Sequence, residues 1–483
     1  MPIRNTIIAL LATLLLTACA STPKHTATPP EPFGAIPTPQ HLAWHDHRFY
    51  AFVHFNMNTF TGVEWGHGRE HPDSFNPTDL DTDQWCRIFS ESGLTGVIIT
   101  AKHHDGFCLW PSAYTEHDVE SSSWRNGNGD VIKELAESCK KYGLFLGVYI
   151  SPWDQNHPDY GRNDDAYNEF YNNQLTELLT NYGPIAEVWW DGANGDRNNP
   201  EKHQDYDWPR FNETVRRLQP NAVVFAPPYA NAPTGVRWVG NESGYANPTQ
   251  WSTCTQGVPE NPSVLNTGIE GAETWFPAET DVSIRKGWYW SEDSDTTVKT
   301  PAQLLNIYHE SVGNNSNLLL NFAIDNKGKV HPAEELAIKA TAYHLRSLYA
   351  NDLANDRPAV SMNSRGDAFI ADNITDDDDA TYWAAPDNQT TASITIELAQ
   401  LSNIDRIILQ EHIELGQRIK SWTLEARANN KWSTVFQGTT IGHHRIARFD
   451  PIVADAIRLN ITDALACPTL ERLSIYHAPR RTR

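Results

Sequence analysis

Between residues 46 and 349, short apolar runs alternate with longer amphipathic segments. Runs such as 49–55 and the β-branched run 96–101 are typical of strands that are buried on both faces. In segments such as 130–142, apolar residues recur every three to four positions, which predicts helices. Gly143 follows that segment at the position of a helix C-cap.

The same patterns predict the rest of this region. Further strands are predicted at 144–150, 185–190, 222–226 and 317–322, and further helices at 167–182 and 208–218. Repeated strand–helix units over roughly 300 residues predict an α/β fold, a (β/α)8-like barrel over residues 33–350. A doubly wound open sheet is the alternative. Against it, no GxGxxG or phosphate-binding loop follows a predicted strand.

The pattern changes after about residue 355. Short alternating segments occur at 393–398, 404–409, 422–426, 446–449 and 457–461, without a helical period. They predict an all-β sandwich over residues 356–478. Asn, Asp and Pro cluster at 351–357, where we place the domain boundary.

The N-terminus has the pattern of a bacterial export signal. An apolar stretch at 7–16 is too short to span a bilayer and is followed by Leu-Thr-Ala-Cys, which resembles a lipobox. We therefore expect residues 1–19 to be a lipoprotein signal peptide with Cys19 lipidated, and the Pro- and Thr-rich residues 20–32 to be a tether. Without an Asp after Cys19, the pattern resembles outer-membrane sorting. A plain secretory signal, which would leave a periplasmic protein, is the alternative.

The amino-acid composition limits the classes of partner that this protein is expected to bind. A formal net charge of −22 disfavours nucleic acid and anionic membrane surfaces. No other apolar run reaches the roughly 18 residues of a transmembrane helix, so we expect membrane contact only through the lipid. The 17 Trp fit a sugar-binding cleft or a large aromatic core equally well. The five Cys besides Cys19 are scattered without a CxxC pair, which predicts neither a zinc site nor a disulfide framework.

Ionisable residues follow three of the predicted strands, at His54, His103-His104 and Asp191. In parallel barrels, catalytic groups lie at the carboxyl ends of the strands. Each has a structural alternative: a buried histidine, a metal-binding pair or a simple turn. Adjacent strand residues point to opposite faces, which disfavours a metal held by both histidines. Their common position at strand ends favours one site.

Three motifs then resemble glycoside hydrolase family 29, the α-L-fucosidases, over about residues 40–345. They are His54-Phe55-Asn56 with Glu64-Trp65-Gly66, Thr100-Ala101-Lys102-His103-His104-Asp105-Gly106-Phe107, and Val188-Trp189-Trp190-Asp191-Gly192-Ala193. The resemblance implies a retaining exo-glycosidase that needs no cofactor or metal and acts on a fucosylated glycan. The third motif and the appended sandwich resemble the subfamily selective for α-1,3/1,4 linkages.

The resemblance also assigns the two carboxylates. It implies that Asp191 is the nucleophile, which its position at a strand end supports independently. For the acid/base it indicates Glu242, in a segment similar to the Trp-Val-Gly-Asn-Glu stretch of the subfamily. Glu64, Glu270 and Glu273 are the alternative candidates for the acid/base. The structural alternative is that Glu242 is only a solvated loop residue.

The remaining site residues follow from the family match. His54, Glu64, His103 and His104 are expected to bind sugar hydroxyls. Trp65 and Trp189 are expected to line the pocket, and Trp189 shares a strand face with Asp191. Tyr149 is expected near the nucleophile, Trp288 at the fucose methyl, and Arg237 beside the acid/base.

The C-terminal region resembles discoidin-type modules, as in carbohydrate-binding module family 32, through Asp372–Asp376 and Asp379–Trp383. We expect the acidic run 376–379 to be a solvated turn, although a calcium site is the alternative. Two other functions stay open: a related α-L-glycosidase that accepts α-L-galactosides, and a non-catalytic sugar-binding surface lipoprotein. The sequence does not determine the oligomeric state.

Overall fold

The structure, a computed structural model, describes residues 28–195 and 203–477. The predicted signal peptide, Cys19 and most of the tether lie outside these residues. Within them, no helix is long and apolar enough to cross a membrane.

The first domain is a closed barrel of parallel strands, as predicted. Its strands and one accessory pair are β1 Phe49–His54, β2 Gly96–Lys102, β3 Phe145–Ile150, β4 Glu187–Trp189, β5 Val223–Phe225, β6 Gly235–Trp238, β7 Thr253–Cys254, β8 Thr274–Trp275, β9 Ala278–Ser283 and β10 Asn317–Ala323. The barrel order is β1-β10-β9-β6-β5-β4-β3-β2. β7 and β8 pair with each other outside it.

Helices surround the barrel. Those of the described residues are α1 Pro39–His47, α2 Met57–Thr61, α3 Thr82–Glu91, α4 Val131–Tyr142, α5 Asp164–Asn181, α6 Trp208–Leu218, α7 Pro262–Thr267, α8 Pro301–Ser311 and α9 Pro332–Leu348. Helix α4 shows why the periodicity was informative. The Asp130 side chain accepts from the Lys133 N–H at its start, and Gly143 ends it with φ of 70°.

Strand alternation divides the core into two layers. Outward residues such as Val97, Ile99 and Val148 pack against the helices. The interior contains Phe52, Trp189 and other mostly aromatic residues, and the apolar runs of the strands result from burial on both faces.

Two carboxyl groups, Glu187 and Glu279, are also fully buried in the interior. Burial and their mutual proximity raise the pKa of Glu187, and burial raises that of Glu279.

The second domain is all-β, as predicted. It consists of β11 Ala359–Ser361, β12 Trp383–Ala384, β13 Ala392–Gln410, β14 Ile419–Ala428, β15 Lys431–Gly438, β16 Arg445–Ala464, β17 Thr469–Leu470 and β18 Arg472–His477. Apart from the β12–β17 pair, these strands form one antiparallel sheet. The predicted strands 393–398 and 404–409 are parts of β13, whose register against β16 shifts between them.

The acidic run of this domain is an ion-paired turn. Arg472 binds both Asp377 and Asp379, and the pair with Asp379 measures 2.6 Å. No cluster of metal-binding side chains occurs in residues 28–195 and 203–477.

Buried polar contacts connect the two domains. The Asn315 side chain accepts from the His443 N–H at 2.8 Å, and that of Gln417 accepts from the Ser252 N–H at 2.7 Å. The second domain therefore packs directly against the barrel.

Candidate active site

A cavity of about 1070 Å³ opens at the carboxyl ends of the barrel strands. It collects side chains that are far apart in sequence, among them His54, His103, His104, Tyr149, Trp189, Asp191, Trp238, Glu242, Asp281 and Trp288. The barrel brings them together because its parallel strands all end at the same rim.

Asp191 lies two residues after the end of β4 and lines this cavity. Its Oδ2 accepts a hydrogen bond from the Tyr149 hydroxyl at 3.0 Å, and its Oδ1 accepts the Ala193 N–H at 2.7 Å. The His104 Nε2 lies 3.8 Å from Oδ2. The carboxylate is thus held from two sides, and its side chain is 27% exposed, so a ligand can reach it.

His54 and His104 have defined tautomers. The Nδ1 of His54 contacts the Asn321 amide oxygen at 2.7 Å, and the Nδ1 of His104 contacts Ser151 Oγ, which itself donates to the Trp153 carbonyl. We therefore place the proton on Nδ1 in both rings, which leaves each Nε2 as an acceptor. Burial lowers the pKa of His54 to about 3 and also lowers that of His104, so both rings are neutral at neutral pH.

His103 offers a free ring nitrogen. Its ring is 5% exposed and stacks on Tyr149 at 5.6 Å, and its Nδ1 has no hydrogen-bond partner among the described residues. A buried polar atom at a cavity wall without a partner is suited to a ligand hydroxyl. The expectation that His103 and His104 face opposite ways was wrong, because β2 ends at Lys102 and the following turn directs both rings to the cavity.

Glu242 lies on the loop after β6 at the edge of the cavity, where the residue is exposed. Partial desolvation raises the pKa of its carboxyl, and the negative charges of Asp191 and Glu64 raise it further. A hydrogen bond from the Trp288 side chain opposes this shift. A carboxyl with a raised pKa beside a second carboxyl group is the pairing required of an acid and a nucleophile.

Six tryptophans line the cavity: Trp65, Trp153, Trp189, Trp190, Trp238 and Trp288. Trp65 is 61% exposed at the mouth. Trp189 is fixed more firmly, because it stacks on Phe225 with ring centroids 3.8 Å apart. Trp288 lies 5.0 Å from the His54 ring. Such ring faces cover the apolar faces of sugars.

Two predicted residues lie elsewhere. Arg237 is fully buried and donates to the carbonyls of Leu265, Phe276 and Trp251, so it does not reach the cavity. Glu64 is exposed and does not line the cavity, but its carboxylate accepts the backbone N–H of Trp288 at 2.7 Å.

Neither alternative from further along the chain lines the cavity. Glu270 pairs with Lys420 at 2.9 Å, and Glu273 is exposed elsewhere.

Sequence reasoning missed Trp238 and Asp281, which both line the cavity. Strand alternation shows that Trp238 and Arg237 face opposite ways, but it does not show which of the two faces the barrel interior. No sequence signal identified Asp281.

The comparisons with known proteins agree with this geometry. Residues 33–348 match the family profile described as alpha-L-fucosidase, and residues 358–470 match the F5/8 type C domain. The chain belongs to the α-L-fucosidases of glycoside hydrolase family 29. It is 40% identical to alpha-L-fucosidase 1 of Arabidopsis thaliana over 457 residues, which cover 92% of this chain and 88% of that protein.

Solved structures of this glycoside hydrolase family are similar over both domains. A putative α-L-fucosidase of Bacteroides thetaiotaomicron matches with a TM-score of 0.87 and 35% identity, covering 93% of this chain and 100% of the other. A Ruminococcus gnavus fucosidase solved in complex with fucose matches with a TM-score of 0.84 and 30% identity, covering 94% of this chain and 98% of the other.

Proposed function

We propose that this α-L-fucosidase is a retaining exo-enzyme that releases terminal α-1,3/1,4-linked L-fucose from oligosaccharides or glycoconjugates. The observation that carries the proposal is the pairing of Asp191, held by Tyr149, with Glu242, whose pKa is raised, in one tryptophan-lined cavity. Two carboxyl groups of different protonation are the requirement of retaining hydrolysis.

In the first step, an Asp191 carboxylate oxygen attacks the anomeric carbon. The bond from that carbon to the leaving oxygen breaks, and Glu242 gives its proton to that oxygen. The product is a fucosyl ester on Asp191. Tyr149 and the Ala193 N–H hold the carboxylate in place, so little reorganisation is needed before attack.

In the second step, Glu242 takes a proton from a water molecule. The resulting hydroxide-like oxygen attacks the same carbon, and the ester bond breaks to return the Asp191 carboxylate. Two displacements give retained configuration. The exposed position of Glu242 provides a path for this water.

The recognition of the sugar follows from the neutral histidines. The Nε2 atoms of His54 and His104 accept from sugar hydroxyls, and His103 supplies a further ring nitrogen. Trp288 supplies an apolar surface for the methyl group of a 6-deoxy sugar.

The cavity is larger than one sugar requires. Its volume of about 1070 Å³ slightly exceeds the range of roughly 300–1,000 Å³ for pockets that bind drug-sized ligands. Arg69, Asn156 and Arg162 line it as well and offer polar contacts to further rings. This space supports an oligosaccharide as the leaving group.

We also propose that the enzyme is exported and attached to the cell envelope through a lipid on Cys19. The support is the sequence pattern alone, since Cys19 lies outside the described residues.

One assay tests the proposed linkage. Initial rates of the wild type and of Asp191→Asn are measured on α-1,3/1,4-fucosylated and α-1,2-fucosylated trisaccharides, with an α-L-galactoside as a third substrate. The proposal predicts cleavage of the first by the wild type only. Preferred cleavage of the α-1,2-fucosylated trisaccharide would contradict the proposed linkage. Preferred cleavage of the α-L-galactoside would contradict the proposed sugar.

A further inference from the structure

The inner face of strand β9 is unusual, because three successive inward residues are polar: Glu279, Asp281 and Ser283. The barrel interior around them is mostly aromatic. Burying polar groups is costly unless each has a hydrogen-bond partner, so the partners indicate what these residues do.

Each of the three residues holds a wall of the active-site cavity. Glu279 Oε1 accepts the Trp189 indole N–H at 2.9 Å, and Asp281 Oδ1 accepts that of Trp238 at 3.0 Å. Ser283 Oγ accepts from the Asn321 amide at 3.0 Å, and the amide oxygen of Asn321 orients His54. One strand thus sets the orientation of three cavity side chains.

Of these three residues of β9, Asp281 is the one that lines the active-site cavity. It lines the cavity together with Asp191 and Glu242 but is only 3% exposed. Burial raises its pKa well above the usual range, and the charges of Glu242 and Glu279 raise it further. The raised pKa favours the protonated, uncharged carboxyl, which suits a position beside the two catalytic carboxyl groups.

The partner of Asp281 lies at a sensitive position. Trp238 is the last residue of β6, its ring lines the cavity, and the loop that carries Glu242 begins directly after it. A rotation of this ring would change the wall of the sugar pocket and the start of that loop together.

We propose that Asp281 is a positioning residue: it accepts the indole N–H of Trp238 and thereby fixes that ring in the wall of the fucose pocket. The inference rests on the proposed function in taking the cavity as the pocket for the fucosyl group. It assigns no proton transfer to Asp281.

The test compares two variants of Asp281. Asp281→Leu keeps the size but removes the acceptor, and it leaves the indole N–H unpaired. We expect kcat/KM on an aryl α-L-fucoside to fall tenfold or more, mainly through KM. Asp281→Asn retains an acceptor oxygen for the Trp238 indole N–H and has nearly the same shape, so we expect it to stay within threefold of the wild type.

Substitution of Trp238, the hydrogen-bond partner of Asp281, provides a second test. Trp238→Phe removes the donor and should reproduce the KM defect. In the Trp238→Phe background, Asp281→Leu should add less than twofold, because the bond that it would break is already absent. If Asp281→Leu does not fold, Trp238→Phe and Asp281→Asn still test the proposal.

Thr280→Val is the matched control. Thr280 lies on the same strand, faces away from the interior and bonds to Ser316 at 2.8 Å. It should lower the melting temperature without changing KM.

The outcomes separate the two proposals. An unchanged KM in both Asp281→Leu and Trp238→Phe, with an active wild type, would overturn the inference, as would equal losses in Asp281→Asn and Asp281→Leu. A wild type that cleaves no fucoside would refute the proposed function itself.

Discussion

Removing the Glu242 carboxyl should separate substrates by the quality of their leaving group. An oligosaccharide leaves as a poor alkoxide and needs the proton of Glu242, whereas a nitrophenolate leaves without it. General acid catalysis contributes about 10²- to 10⁴-fold, so Glu242→Ala should lose about 3–5 kcal/mol of transition-state stabilisation on the natural substrate. On the aryl fucoside, the first step should change little.

The structure also limits the side effects of this variant. Glu242 is exposed, and the interaction it loses is the hydrogen bond from the Trp288 side chain. One such bond contributes about 0.5–1.5 kcal/mol, far less than the expected catalytic loss. Glu242→Gln is the matched control, because it retains an acceptor for Trp288 but is not an acid. Both variants should lose activity on the oligosaccharide to a similar degree.

The assay measures kcat and KM on both substrates with and without azide. In Glu242→Ala the second step should limit turnover of the aryl substrate, and azide should restore it by attacking the exposed face. In the wild type, the raised pKa of Glu242 should move the alkaline limb of kcat/KM on the oligosaccharide above the usual carboxyl range, because the acid must be protonated. Equal losses on both substrates without azide rescue would refute the assignment and direct the search to Glu64.

Four further variants test other parts of the account. Asp191→Ala should fold but lose several orders of magnitude in kcat, and azide should not restore turnover with retained configuration; a tenth of the wild-type rate remaining would rule out a nucleophile there. Arg237→Met should leave three buried carbonyls without a donor and lower the urea midpoint while KM stays unchanged; a raised KM with unchanged stability would place Arg237 in the site after all. His45 is buried with a pKa lowered to about 3, so unfolding takes up a proton below pH 6.5 and stability falls as pH falls. Between pH 6 and 4, His45→Gln should reduce the dependence of the free energy of unfolding on pH by about 1.4 kcal/mol per pH unit. Urea titrations at several pH values measure this dependence, and an unchanged value would contradict the burial of His45. Cys19→Ser, expressed in a Gram-negative host, should move the protein out of the membrane fraction, and an unchanged distribution would count against lipid attachment.

The sequence correctly predicted the strands that carry apolar residues on both buried faces. Strands β1, β2 and β10 appear as continuous apolar runs because both faces are buried, and α4 carried caps at both ends. Strand β9 was missed for a physical reason. Its inner face is polar, and a period-two pattern of carboxyl groups resembles a solvated segment until the tryptophan donors are known.

The site shows the same limit. Asp191 and the histidines were identified because they follow recognisable strands. Arg237 came from the family resemblance alone, and strand β6 is too short for its own four residues to fix the direction in which Arg237 and Trp238 point. Its pairing with β5 and β9 fixes that direction, and such pairing depends on residues distant in the chain.

The central claim is the covalent role of Asp191, and trapping the intermediate tests it most directly. An activated 2-deoxy-2-fluoro fucosyl fluoride slows both steps, but its good leaving group preserves the first, so the ester accumulates. The folded enzyme is labelled first and then digested. Mass spectrometry should then find one added 2-fluorofucosyl group on the peptide that contains Asp191. A label on any other residue, or no label together with an inverted product, would contradict the account.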